Sequence, residues 1–255
     1  MGATLWLALV FILMGAAVGS FLNVCIYRIP AGLSIVSPPS RCPHCGHRIR
    51  IYDNLPLLGY LLLSGRCRDC GAPIAWRYPA IEALTAAAAG LLFYKYGLTL
   101  ALPAVFLFVC LLIVITFIDL DHQLIPHTLT LSGIPFFALL AVLVMGRSVL
   151  DVFLGATVGA AVLYFVAVYY EALTGREGMG GGDVNLLALL GAFLGWQALP
   201  FLLLASSFIG AAVGLAILLP RGRDLRTALP FGPFLCGAAL LYLAWGDRWN
   251  VLLRL

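Results

Sequence analysis

Long apolar runs dominate the chain, and a single long polar stretch, residues 28–79, interrupts them after the first run. About 20 consecutive apolar residues cross a bilayer as a helix, so the pattern predicts about eight transmembrane helices. One run of 14 residues, 184–197, is short for a span, which leaves seven helices as the alternative. The eight runs are residues 3–27, 80–98, 100–118, 129–146, 149–170, 184–197, 199–219 and 229–246.

Composition narrows the class of protein. Of the 255 residues, 63% are hydrophobic and 10% are charged, whereas soluble domains contain about 45–50% and about 25% of these classes. These values exclude a soluble globular enzyme, a disordered chain and a basic nucleic-acid-binding protein. We therefore predict an all-α polytopic membrane protein that is surrounded by bilayer lipid and has no nucleic-acid partner.

The positive charges predict the orientation of the chain. With the N-terminus outside, eleven of the 15 Lys and Arg residues fall in cytoplasmic segments and four fall outside, in agreement with the positive-inside rule. No Lys or Arg precedes Arg28, so the first run is predicted to be an uncleaved helix rather than a signal peptide. The predicted organisation is a first transmembrane helix (1–27), a cytoplasmic segment (28–79) and a membrane-embedded domain (80–255).

Four of the seven cysteines form two matching pairs within the polar stretch. Each pair has two residues between its cysteines and a glycine after the second, a spacing that suits a tetrahedral zinc site with four thiolates. The pairs are Cys42-Pro-His-Cys45-Gly and Cys67-Arg-Asp-Cys70-Gly. Two disulfides are the alternative, but the predicted cytoplasmic location disfavours them. His44 and His47 are alternative ligands. Four thiolates leave no position for water, so the zinc is predicted to be structural.

Two aspartates lie at the ends of apolar runs. Asp119 closes one run, and Asp183 follows three glycines and opens another. The predicted topology places both at cytoplasmic helix ends, where an ionised carboxylate can activate water while a protonated one polarises a carbonyl. Asp121 is the alternative for the first aspartate.

Other roles for these aspartates stay open. Asp183 alone suits a helix N-cap, and Asp119 alone suits a charge at a helix end. A proton or cation path through a transporter also uses intramembrane carboxylates. A phosphate-binding loop is excluded, because no Lys-Ser/Thr follows the glycines.

Taken together, these motifs resemble those of the bacterial type IV prepilin peptidases of pilus and type II secretion systems, which are GxGD aspartyl membrane proteases. The resemblance covers almost the whole chain and includes the four cysteines. One departure is His127, where the family usually has Asp. The other matching motifs are Gly19-Ser20-Phe21-Leu22-Asn23-Val24 with Tyr27-Arg28, Asn54-Leu55-Pro56, Arg77-Tyr78-Pro79 with Glu82, Asp119 six residues before Ile125-Pro126, and Gly180-Gly181-Gly182-Asp183.

The resemblance implies that Asp119 and Asp183 are the catalytic pair. It implies cleavage of the basic leader of prepilins or pseudopilins after a Gly, at the cytoplasmic face of the bacterial inner membrane. It also implies methylation of the new N-terminal residue by S-adenosylmethionine, for which the sequence shows no recognisable binding motif. Glu82 is expected either to help methyl transfer or to hold the cysteine segment. The alternatives are a peptidase without methyl transfer, and a transporter or assembly scaffold.

Overall fold

The computed structural model describes residues 2–175, 179–218 and 230–253. Within these ranges the chain is helical, and its only β-type pairing consists of two isolated bridges. Short 3₁₀ helices lie at Ile51–Asn54 and Trp196–Ala198. The α-helices are α1 (Gly2–Arg28), α2 (Leu58–Leu62), α3 (Arg77–Tyr96), α4 (Ala101–His122), α5 (His127–Leu143), α6 (Val149–Thr174), α7 (Gly181–Leu194), α8 (Leu199–Leu218) and α9 (Gly232–Leu253).

Each of the eight predicted apolar runs forms a helix, and this confirms the all-α class. Four helical segments among the described residues are long and apolar enough to cross a bilayer, and they make the chain a membrane protein. They are Thr4–Arg28, Ala101–His122, Val149–Thr174 and Trp196–Ala216. The count of eight spans is not confirmed. Among the described residues α5, α7 and the Gly232–Gly246 part of α9 are apolar but shorter than 18 residues, and α3 is not among the candidate spans. Five arginines on which the predicted orientation partly depends lie outside the described residues: Arg176, Arg221, Arg223, Arg226 and Arg254.

The chain folds as two compact units, residues 1–114 and 115–255. In the first unit, α1 packs closely against α3 through glycines. A Cβ atom at Gly15 would lie 2.6 Å from the Cβ of Ala89, and one at Gly19 would lie 2.7 Å from the Cα of Glu82. Small residues of this kind let two membrane helices approach closely. This packing fixes Glu82 against the C-terminal half of α1.

The second unit is built around α7. Every residue from Leu186 to Leu194 is buried, and α7 packs against α5 and α6. The backbones of α6 and α7 touch at Gly155 and Gly191, where a Cβ on either residue would overlap the other's carbonyl group. A helix buried on all sides has little freedom to shift, so α7 holds its first turn, which carries Asp183, in a fixed place.

We expect Gly155→Ala to lower the free energy of unfolding by about 1–3 kcal/mol, because the new methyl group meets backbone that cannot move aside. Gly237→Ala in α9 is the matched control. Its Cβ meets nothing within 4 Å, so the variant should be neutral or more stable by up to about 1 kcal/mol. Reversible unfolding in lipid measures both changes. Equal stabilities of the two variants would contradict the close contact between α6 and α7.

Candidate active site and metal centre

Asp119 lies in the last turn of α4 and is only 4% exposed. Its Oδ2 accepts a 3.0 Å hydrogen bond from the backbone N–H of Gly232, the first residue of α9. The first N–H groups of a helix have no partner within the helix, so this end of α9 is suited to a carboxylate. Gly232 must lack a side chain here, because a Cβ would lie 2.6 Å from Oδ2. Asp121 is exposed, so Asp119 is the buried carboxylate of the two.

Asp183 lies in the first turn of α7, after the glycine run. Its Oδ1 is buried and has no hydrogen-bond partner among the described residues. Buried polar atoms are nearly always paired, so an unpaired carboxylate oxygen indicates a place where another molecule or a proton binds. The preceding Gly182 lies against the loop before α5, where a Cβ would come within 2.8 Å of the Cβ of Ile125.

The two aspartates lie together, around the side chain of Ile125. Ile125 is 5% exposed and touches both Gly182, next to Asp183, and Gly232, whose N–H holds Asp119. The carboxylates are close enough for the charge of one to act on the other. The structure thus brings together the end of α4, the start of α7 and the start of α9. Two acidic groups that share one buried site suit general acid–base chemistry.

Two residues that the sequence did not assign to the site lie beside it. The Nδ1 of His127 is 3.0 Å from the Nδ2 of Asn185, and the pair joins the first residue of α5 to α7 two residues after Asp183. His127 is exposed and lies against Gly181, where a Cβ would come 3.9 Å from its ring. The contact fixes the turn that carries Asp183. No local motif predicts it, because the partners are 58 residues apart.

The four paired cysteines of the first unit form one cluster. Their sulfur atoms all lie within 4.8 Å of one another, and the Sγ atoms of Cys42 and Cys70 are 3.9 Å apart. Ligands at about 2.3 Å from a tetrahedral zinc ion would be about 3.8 Å apart, so these residues fit a zinc ion. Neither His44 nor His47 belongs to the cluster among the described residues.

The two cysteine turns have the same backbone. In each, the first cysteine's N–H donates to a carbonyl five residues on, at 2.9 Å for Cys42 and 2.8 Å for Cys67, and a glycine at positive φ follows the second cysteine. Backbone N–H groups of Cys45 and His44 also point at Cys42 and lower the pKa of its thiol to about 6. These donors favour the thiolate form of Cys42, the form in which a cysteine binds a metal.

Ion pairs brace the second turn against the 3₁₀ helix at Ile51–Asn54. Arg68 donates to both carboxylate oxygens of Asp53, with one N–O distance of 2.6 Å, and this lowers the pKa of the Asp53 carboxyl. Arg50 lies 3.5 Å from Asp69. The cysteine segment therefore combines a metal-ligand cluster with a small polar network.

Both units match one family. Residues 13–96 match the bacterial peptidase A24 N-terminal domain, and residues 106–215 match the type IV leader peptidase family. The four cysteines lie in the first match, and Asp119 and Asp183 lie in the second. No solved structure matches the chain.

Curated relatives match over nearly the whole chain. The prepilin leader peptidase/N-methyltransferase of Aeromonas hydrophila is 42% identical over 96% of this chain and 93% of its own length. The proteins of the same name from Pseudomonas aeruginosa and Legionella pneumophila are 38% and 39% identical, over 93% and 92% of this chain and 90% of their own lengths. The chain therefore belongs to the type IV leader peptidase family.

Proposed function

We propose that the chain is an aspartyl endopeptidase that removes the basic leader of type IV prepilins or pseudopilins and then methylates the new N-terminal residue. The observation that carries the proposal is the pair of carboxylates, Asp119 and Asp183, that separate helices place around Ile125. The names of the relatives support the same pair of activities.

The carboxylates would act as one unit. Two neighbouring carboxyl groups do not both ionise readily, so they share a proton. The ionised one takes a proton from water as it attacks the scissile carbonyl carbon, and the protonated one hydrogen-bonds the carbonyl oxygen. The C–N bond then breaks, and the leaving amine receives a proton. Gly180–Gly182 would allow the backbone of an extended substrate to lie beside Asp183.

Methyl transfer requires a donor, and we assign S-adenosylmethionine to that role. When bound, it would supply a methyl group on a cationic sulfur: the N–C bond to the substrate amine would form as the C–S bond breaks, and the amine would release its proton to water. This chain's part is to bind the donor and to orient the amine.

Zinc is the metal that we assign to the four cysteines, in a structural role. All four thiolates would be ligands, so no position remains for a catalytic water. We place the cysteine segment and the aspartates on the cytoplasmic side of the bacterial inner membrane, with the N-terminus outside, as the arginine distribution predicts.

A single reaction tests the proposal. Purified protein in lipid is mixed with a prepilin and S-adenosylmethionine, and the products are weighed by mass spectrometry. We expect the leader peptide and a mature chain that carries one added methyl group. A mature chain without the methyl group would show that the protein is a peptidase without methyl-transfer activity. Intact prepilin, together with ion flux that depends on Asp183, would support a transporter instead.

We expect His127→Ala to slow cleavage about fivefold, because it removes one hydrogen bond worth about 1 kcal/mol from the turn that carries Asp183. Among the described residues the hydrogen bond of His127 goes to Asn185, so methyl-donor binding and zinc content should not change. The matched control is His122→Ala, at the exposed end of α4. Initial rates on prepilin measure the effect, and an equal rate for the two variants would remove His127 from the site.

A further inference from the structure

A cavity of about 710 Å³ lies in the first unit. Its wall is formed by the C-terminal end of α1, the N-terminal end of α3 and the cysteine segment, including Cys42 and Cys67. Cavities of about 300–1,000 Å³ are typical of sites for small molecules and cofactors. It contains neither Asp119 nor Asp183, so it is a site of its own. We call it the Glu82 cavity.

Among the described residues, one carboxylate of the cavity has no cationic partner. Three acidic residues line it. Asp53 is paired with Arg68, and Asp69 with Arg50. Glu82, by contrast, is 8% exposed and has no ion pair within the described part of the chain. Its Oε2 accepts a 2.7 Å hydrogen bond from the N–H of Leu57. A buried carboxylate without a positive partner is costly, so the cavity suits a ligand with a cationic centre.

Two further features mark the surroundings of Glu82. Asn23 is 5% exposed, and its Nδ2 donates to the carbonyls of Gly19 and Tyr78 at 3.3 and 3.1 Å. Its Oδ1 is buried and has no partner among the described residues, so it can accept from a donor on a ligand. Leu57, which holds Glu82, has a φ of 61°, a strained value for a leucine. Strain of this kind persists mostly at functional sites.

The cavity wall also carries positive charge. Four arginines line it. One of them, Arg28, donates hydrogen bonds to the carbonyls of Ser34 and Pro38 at 2.8 and 2.7 Å. The remaining lining includes three tyrosines, whose rings suit contact with a flat aromatic group. These arginines are Arg28, Arg41, Arg48 and Arg68, and the tyrosines are Tyr27, Tyr60 and Tyr78.

We propose that the Glu82 cavity binds S-adenosylmethionine, with Glu82 as the partner of the cationic sulfur. The proposal rests on the methyl transfer proposed above. The donor combines one sulfonium, an amino group, a carboxylate and an adenine ring. These match, in turn, the carboxylate of Glu82, the free Oδ1 of Asn23, the arginines and the tyrosines.

Other ligands match the cavity less well. A basic leader peptide would bring several positive charges into a cavity whose four arginines outnumber its three carboxylates. An anionic lipid headgroup would suit the arginines but would leave Glu82 and the Oδ1 of Asn23 without partners. A small zwitterion with an additional cationic centre satisfies both kinds of group.

Binding of two related compounds tests the role of Glu82 without any turnover. S-adenosylmethionine and S-adenosylhomocysteine, which has a neutral sulfur, are titrated calorimetrically into the zinc-loaded full chain in lipid. We expect Glu82→Gln to weaken S-adenosylmethionine binding at least about tenfold more than S-adenosylhomocysteine binding, because only the former presents the sulfonium. Glu171→Gln is the matched control, an exposed acid on α6 in the second unit, and it should leave both affinities unchanged.

A second measurement locates the donor even if Glu82→Gln perturbs the fold, which zinc content would reveal. Wild-type protein is irradiated with labelled S-adenosylmethionine, and the labelled peptides are identified. Label between residues 20 and 82 supports the cavity. Label confined to residues 115–253 overturns this assignment but not methyl transfer. The same conclusion follows if a zinc-loaded Glu82→Gln variant keeps the wild-type preference between the two compounds. Wild type that cleaves prepilin but binds neither compound overturns both methyl transfer and the cavity's role.

Discussion

Asp119→Asn or Asp183→Asn is expected to lower the rate of prepilin cleavage by about 10²–10⁴-fold, the usual contribution of a general acid or base. An amide has nearly the shape of a carboxyl group, but it can neither take a proton from water nor give one to the leaving amine. In the Asp119→Asn variant the amide oxygen would still accept from the N–H of Gly232, so the fold should persist. Initial rates with purified protein in lipid measure the effect.

Asp121→Asn is the matched control for this prediction. It makes the same chemical change two residues away, on an exposed side chain, and should leave the rate near that of the wild type. The double variant, Asp119→Asn with Asp183→Asn, should cleave about as slowly as either single variant. The two carboxyl groups act jointly, so losing one already removes the contribution of both. Normal processing of prepilin by either single variant would contradict the aspartyl mechanism.

The helices and the cysteine cluster follow from local sequence. An apolar run of about 20 residues has to form backbone hydrogen bonds within itself in a bilayer, so each run becomes a helix. The cysteine turns are equally local, since each is set by two cysteines and a glycine within five residues. The span count was harder to predict, because it depends on where each helix ends. Gly195, at a φ of 87°, ends α7 after only 14 residues.

The surroundings of the aspartates could not be predicted in the same way. Asp119 and Asp183 stand out because charges are rare in apolar runs. Their hydrogen-bond partners do not stand out in the sequence, because the N–H group that donates to Asp119 belongs to Gly232, 113 residues away. Hydrogen bonds of this kind depend on how α4, α7 and α9 pack, and no periodicity within one segment encodes that packing.

Glu82 illustrates the same limit. The sequence offered two roles for it, in methyl transfer or in holding the cysteine segment. The hydrogen bond from Leu57 shows that it contacts this segment, while its place in the cavity wall supports a part in donor binding. One carboxylate has two oxygens, so the two roles are compatible.

Replacing Cys42 and Cys67 together by Ser is expected to abolish zinc binding and to unfold the cysteine segment. Structural zinc sites supply about 10–16 kcal/mol, more than the whole stability of many small domains. Apart from the metal, the segment has few means to stay folded, since its regular structure consists of a 3₁₀ turn, the five-residue α2 and two isolated β bridges, and its ion pairs are partly exposed. Metal analysis should fall from one zinc per chain to none, and protease should cut between α1 and α3.

His44→Ala and His47→Ala are the matched controls, because both histidines lie in the first cysteine turn yet outside the sulfur cluster. Each variant should keep its zinc and its protease resistance. The cysteine variant should also lose S-adenosylmethionine binding, since Cys42 and Cys67 help to form the cavity wall. The aspartates belong to the other compact unit, so the site around Ile125 should stay folded in this variant. A zinc-free chain whose segment resists protease as well as the wild type would show that the metal does not stabilise the fold.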